Sequence, residues 1–198
     1  MRGFSFVCVM RIVNETTLFC MPFRPSFETT FVFAIQRWNN HSFVRWLAIT
    51  SSRLDVLFLF LVGVIAASSW YVGKLPLPLF TSIGLAFLTH YILVEGLCKR
   101  SFIRRKRPHI AAKDTLKPLG VVYRDSSFPS GHAAIMTALS VLIGHTFPFT
   151  LPFLGLLVGV VGWSRLACGM HYPSDVLAGI LLGAAYAGVI LTFLPYPA

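Results

Sequence analysis

Residues 54 to 72 read LDVLFLFLVGVIAASSWYV, nineteen positions whose single charge, Asp55, falls where a helix would have its first turn. As a helix this run is about 28 Å long, enough to cross bilayer hydrocarbon, and a helix dipole tolerates a carboxylate at its start. Four further apolar runs follow: Leu79 to Cys98, Ser130 or Gly131 to about His145, a rather short Leu154 to Trp163, and Asp175 to Leu194. Lys74, Pro76 and Pro78 mark one turn, and Pro148 and Pro152 bracket another. The pattern predicts an all-α, polytopic transmembrane bundle of five spans plus an N-terminal amphipathic or sixth membrane segment. Composition agrees: 56% hydrophobic, 12% charged and a mean hydropathy of +0.72 are too apolar for a soluble domain of 198 residues.

The N-terminal quarter is less regular. Residues 1–26 form a poorly organised segment in which Arg11, Asn14 and Glu15 interrupt the apolar stretch Phe4 to Phe23, with no small-residue cleavage site after it. An imperfect span, an interfacial segment and a non-native leader all fit it. Phe27 to Thr50 predicts one or two amphipathic helices, with Trp38 and Trp46 beside Arg37 and Arg45, a pairing suited to the headgroup region; a broken span is the alternative. Residues 27–198 are taken as one membrane-embedded domain. Gly155 and Gly159, and Gly179, Gly183 and Ala187, are small residues at four-residue spacing, which predicts close helix packing. Cys8, Cys20, Cys98 and Cys168 show no metal-type or close spacing, so neither a disulfide nor a metal is inferred.

The formal net charge is +10, and nine of the 17 basic residues lie between Lys99 and Arg124, in the one long polar loop. No aromatic-interleaved basic fold accompanies them, so nucleic acid is excluded as a partner. An anionic substrate at the membrane surface fits better. Three stretches on that side carry chemistry: the basic run Lys99 to Pro108, then Pro129-Ser130-Gly131-His132, then Ser164 to Asp175. Two spans separate the second motif from the third, so all three fall on one side of the membrane. In the last motif Asp175 follows His171 by four residues, which lets it accept a hydrogen bond from one imidazole nitrogen and turn the other outward as nucleophile or base. Arg165 adds a planar cationic fork suited to phosphate. Within the second span Glu95 stands four residues before Lys99, a favourable ion-pair spacing, while His90 and Glu95 could instead line a substrate path.

These stretches resemble the signature of the type 2 phosphatidic acid phosphatases, which share a fold with the vanadium haloperoxidases: Lys, six spacers, Arg-Pro; Pro-Ser-Gly-His; Ser-Arg, five spacers, His, three spacers, Asp. The second and third parts match fully. The first departs, because counting back from Arg107-Pro108 puts Arg100 in the lysine position and Lys99 one place off register. The resemblance covers roughly residues 50 to 195, with the active-site motifs in 99–175. It implies His171 as nucleophile, forming a phosphohistidine, with Asp175 orienting it and His132 as general acid. It also implies phosphate ligands at Arg107 and Arg165 and at the backbone N–H groups of Gly131 and His132, where a helix start adds a positive dipole end. Ser130 either donates its hydroxyl to phosphate or caps the helix.

If Glu95 holds Lys99, Arg100 is free to face the phosphate, so Arg100 is the expected ligand and Lys99, Glu95 and Pro108 are accessory. No carboxylate cluster suggests a metal, and no cofactor is expected. The expected partners are the bilayer and a lipid phosphate: phosphatidic acid, phosphatidylglycerophosphate, a lipid A phosphate or an isoprenyl pyrophosphate. The sequence carries no signal for an oligomeric state. Two other functions are weighed: a degenerate lipid-binding or lipid-moving protein, which Arg100 in the lysine position leaves open, and a vanadate-dependent haloperoxidase. The loop charges by themselves predict a cytoplasmic motif side. Resemblance to bacterial members implies the inner membrane with the site on its periplasmic face, and that is the expectation taken.

Overall fold

The computed structural model describes residues 8–9, 21–22, 27–74, 76–102 and 104–194. The reading of residues 1–26 as one segment therefore falls almost wholly outside the described residues, apart from a two-residue antiparallel ladder of Cys8–Val9 with Met21–Pro22. From Phe27 on, the described chain is helical: α1 (Phe27–Gln36), α2 (Ser42–Ser51), α3 (Leu54–Val72), α4 (Leu77–Thr89, continued as a π-helix over His90–Phe102), α5 (Pro108–Ala111), α6 (Gly131–Thr146), α7 (Leu151–Ala167) and α8 (Pro173–Phe193). Helices satisfy their own backbone groups, which lipid cannot.

Local chemistry sets the boundaries. Arg53 is extended and forks onto Asp55 at the start of α3, and Gly73 ends that helix in the left-handed region at φ 72°. Proline occupies a first-turn position of α4, α7 and α8, where its missing N–H costs nothing. α1 and α2 are two helices joined by a 3-10 turn over Arg37–Asn40, which decides between the one or two expected.

Four helical stretches are long and apolar enough to cross a bilayer: Leu54–Val72, Leu77–Arg100, Pro148–Ala167 and Pro173–Phe193. The chain is an integral membrane protein. The expected third span is instead the 16-residue α6, about 24 Å long by helical rise. It is the hub of the bundle, packed on α8, α7 and α4, and twelve of its sixteen residues are buried. Its contact with α8 is close because Gly179 and Gly183 oppose the backbone oxygens of Ser130 and Ala134, where a Cβ would collide. The other glycine pair does not serve this purpose: a Cβ on Gly155 or Gly159 would meet nothing within 4 Å. Those two sit on an open face of α7.

Candidate active site

The three motifs meet in one small cavity, of about 210 Å³, at the start of α6. Lys99, Arg107, Arg165, Gly131, His132 and His171 line it, with Glu95, His90, Tyr123, Asp125 and Leu54 completing the wall.

His171 is buried in the loop between α7 and α8. Its Nδ1 lies 2.7 Å from the Ser127 carbonyl oxygen, which can only accept, so Nδ1 carries the proton and Nε2 keeps its lone pair. Nε2 is 3.2 Å from Arg107 Nη1. The expected orienting bond to Asp175 is therefore corrected: Asp175 Oδ2 stops 3.9 Å from Nδ1. Its two oxygens are taken elsewhere, Oδ2 by the Tyr172 backbone N–H at 2.8 Å and Oδ1 by Arg105 Nη1 at 2.7 Å. The His–Asp spacing at a helix start is served by helix capping, with the carboxylate turned toward the backbone. Burial, and then the positive charges of Arg165 and Arg107, hold the His171 imidazolium pKa well below the ordinary histidine value. The ring is thus neutral at pH 7, as a nucleophile requires.

Arg107 is 1% exposed and fixed from every side. Its guanidinium donates to the Met170 and Asp125 carbonyls, each at 3.1 Å, and to Asp125 Oδ1 at 2.8 Å. Pro108, which follows it, starts α5 and is buried without lining the cavity. Partial burial pushes the Asp125 carboxyl up, but Lys99 and Arg107 outweigh it and hold it below the usual range.

The lysine position resolves differently from expectation. Lys99 Nζ does pair with Glu95 Oε1, at 2.6 Å, and also with Asp125 Oδ2, at 3.2 Å. That pair points into the cavity, because Glu95 itself lines it. Arg100 is exposed and lines an adjoining open basic groove with Arg104, Lys106 and Arg124, which shares Lys99 and Asp125 with the cavity but leaves Arg100 outside it. The cause lies in the helix: residues 90 to 102 are wound as π, whose backbone hydrogen bonds reach one residue further than the α-helical ruler assumes, so the register drifts before the loop. Lys99, not Arg100, is the cation at the site.

Ser130, Gly131 and His132 open α6. Ser130 is the N-cap residue, yet its side chain makes no capping bond and its buried Oγ has no partner; its N–H instead donates to the Asp175 carbonyl at 2.9 Å. A Cβ on Gly131 would stand 2.8 Å from Glu95 Oε1, so any larger residue here would have to push the Glu95 carboxylate aside. His132 Nε2 and Arg165 Nε are likewise buried without partners. An unanswered buried polar group costs about 1–3 kcal/mol, and three residues of the cavity wall carry one, His90 at Nδ1, His132 at Nε2 and Arg165 at Nε, so the wall is shaped for a polar ligand. Among the described residues, no group of three His, Cys, Asp or Glu side chains is placed to hold a metal ion.

Two features were not foreseen from the motifs. Arg105 bridges Asp175 to Glu28 of α1, and the Ser127 carbonyl orients His171. Neither is visible as a pairing in sequence, since Glu28 and Arg105 stand 77 residues apart. An apolar groove of about 460 Å³ also runs between α3, α4 and α6, lined by Leu57, Phe58, Leu61, Phe87, Ile135 and Leu139; it reaches the cavity through Leu54, His90 and Glu95.

A membrane helical bundle whose helix ends and loops gather three histidines and three cations around one small pocket belongs to a small class of architectures. A family model, the PAP2 superfamily, matches residues 76–197, and the chain belongs to that family. It is 39% identical over 109 residues to the decaprenylphosphoryl-5-phosphoribose phosphatase of Mycobacterium tuberculosis, covering 53% of this chain and 55% of that protein. The chain thus spans about half the length of the curated relatives it matches. In fold it is similar to the transmembrane PAP2-type phosphatidylglycerolphosphate phosphatase from Bacillus subtilis, with a TM-score of 0.55 and 21% identity over 85% of this chain and 87% of that one. A bacterial vanadium-dependent iodoperoxidase shares the fold at a TM-score of 0.63 and 16% identity, over 97% of this chain and 53% of its own.

Proposed function

We propose that the chain is a lipid phosphatase, hydrolysing a phosphate monoester or diphosphate of a membrane lipid through a phosphohistidine. The observation that carries this is the His171 tautomer, with Nδ1 committed to the Ser127 carbonyl and a neutral Nε2 among Lys99, Arg107 and Arg165. In the reaction Nε2 attacks phosphorus and the ester P–O bond breaks. A proton brought by the substrate phosphate passes through His132 to the departing oxygen, and His132 then takes a proton from the water that cleaves the N–P bond. Arg107 Nη1 passes from Nε2 to a phosphate oxygen as substrate arrives, while Lys99 and the orphaned Arg165 Nε meet the others. The cations carry the charge neutralisation, so turnover needs no metal.

The apolar groove supports a lipid whose chain lies between α3 and α4 while its phosphate reaches the cavity. The decaprenyl-linked relative favours an isoprenyl lipid phosphate within that class. Phosphate release from a panel of isoprenyl and glycerolipid phosphates in detergent tests the reading. Release should persist in excess EDTA and be blocked by orthovanadate; loss on chelation with recovery on magnesium addition would overturn the metal-free mechanism.

Resemblance to bacterial members supports an inner-membrane location with the cavity toward the periplasm. An Arg124→Cys variant should react with a membrane-impermeant thiol reagent in spheroplasts. Reaction only after permeabilisation reverses the orientation.

A further inference from the structure

Arg105 stands outside the cavity wall, yet its main chain bonds the Ser127 backbone and its side chain bonds Asp175, the two residues that flank His171 Nδ1. Its backbone carbonyl accepts from the Ser127 N–H at 2.9 Å, and its own N–H donates to Ser126 Oγ at 3.2 Å, which fixes the strand of loop whose Ser127 carbonyl holds the imidazole. Its Nη1 donates to Asp175 Oδ1 and to Ser174 Oγ, both at 2.7 Å. Its Nη2 pairs with Glu28 of α1, whose other oxygen accepts from the Ser174 N–H at 3.1 Å. The guanidinium lies 4.0 Å over the Tyr172 ring, so the fork is held in plane as well as at its tips.

We propose that Arg105, anchored by Glu28, is a positioning residue for the reaction: it keeps the Ser127 carbonyl under His171 Nδ1 and keeps the Asp175 carboxylate away from it. This rests on the phosphohistidine reading. Glu28 lies outside residues 76–197 matched by the family model, so α1 joins the catalytic apparatus from beyond that unit.

The consequence is a division of labour at the imidazole. The charged and titratable groups around His171 are Arg107 and Asp125 of the loop, Lys99, Glu95 and His90 of the π-helical segment, Arg165 of α7, His132 of α6 and Asp175 of α8. Arg107, Arg165 and His132 disfavour an imidazolium, Glu95 and Asp125 are ion-paired with Lys99 and Arg107, and Asp175 is the carboxylate beside Nδ1. With Arg105 in place, the carboxylate is neutralised and 3.9 Å away. Without Arg105, Asp175 Oδ1 loses its partner, and its buried carboxyl is left beside the His171 ring. The two groups then share a proton that neither holds with Arg105 in place, so the pair gives it up at a higher pH than before.

The test compares kcat, KM and the pH profile of kcat/KM for wild type, Arg105→Ala, Arg105→Lys, Glu28→Gln and the neighbouring-cation control Arg104→Ala, on one lipid phosphate in matched detergent. Arg105→Ala should lower kcat by roughly 10- to 100-fold, the scale of a lost charge-assisted bond, with KM nearly unchanged. It should also move the acid limb of the profile upward. Arg105→Lys should recover part of kcat by restoring the charge without the fork. Glu28→Gln should move both readouts the same way by less, and Arg104→Ala should leave them unchanged. A change in KM alone would make Arg105 a substrate ligand and overturn the proposal, as would an unmoved acid limb. If Arg105→Ala does not fold, Glu28→Gln carries the test, and a silent Glu28→Gln overturns it. A wild type that releases no lipid phosphate, or stays active as His171→Ala, sinks the phosphatase reading instead. Normal wild-type turnover with unaffected variants sinks only the role of Arg105.

Discussion

One half of the site is finished and the other half is waiting. Around Arg107 and His171, donors and acceptors are answered within the protein: five contacts fix the guanidinium, and the imidazole is held at both nitrogens. Across the cavity, His90 Nδ1, His132 Nε2 and Arg165 Nε are buried with nothing to bond. The two halves cost differently. The first is rigid before substrate arrives, which is how enzymes lower the reorganisation needed at the transition state. The second gives up stability that a ligand's oxygens restore.

That contrast is sharpest at the histidines. His171→Ala removes the attacking atom from the finished half, and lipid phosphate release should fall to background with the protein still folded. His132→Ala removes a proton donor from the waiting half and should cost about two to four powers of ten in rate. Near-normal turnover in His171→Ala would break the comparison, because the answered half would then be scaffold only. A thermal melt of each variant in detergent separates the cases: His132→Ala deletes an unanswered polar atom and should melt no lower than His171→Ala, which strands the Ser127 carbonyl.

A smaller effect separates the two adjacent cations. Lys99→Ala should lower kcat/KM by roughly 10- to 150-fold, the scale of one charge-assisted hydrogen bond. Arg100→Ala should stay within about threefold, since an exposed charge is screened by solvent. The reverse ranking, measured on one substrate in matched detergent, would restore Arg100 to the site.

Lys99 and Arg100 also show where sequence reading stopped. Four of the five expected spans, and the meeting of His132, Arg165 and His171 in one cavity, followed from apolar run lengths and motif order. The Lys99–Glu95 pair followed from its spacing. Its direction did not, because a π-helix leaves no mark in the residue pattern and the α-helical ruler fails silently over 90–102. Asp175 misled for another reason: in the first turn of a helix, a carboxylate has a backbone N–H to cap as well as an imidazole to orient, and the structure gives it the first. The glycine stripes were equivalent as text, yet Gly183 is pressed on Ala134 and Gly155 faces open space, since periodicity says nothing of which face has a neighbour. Arg105 was one of nine cations in a loop until Glu28 and Asp175 were seen on either side of it.

The stitching of α1 and its following turn to the motif loops has a consequence for how the molecule comes together. Gln36 Nε2 donates to the Lys117 and Ala167 carbonyls, and Asn39 Nδ2 to Ala167, 128 residues further along the chain. Glu28 waits for Ser174, 146 residues away. During synthesis from the N-terminus, these polar groups are made first and their partners almost last, and contacts of such separation are slow to form. The first helices of the domain therefore rest unpartnered until α7 and the start of α8 have been made, and the roof over the site is the last part of it to close.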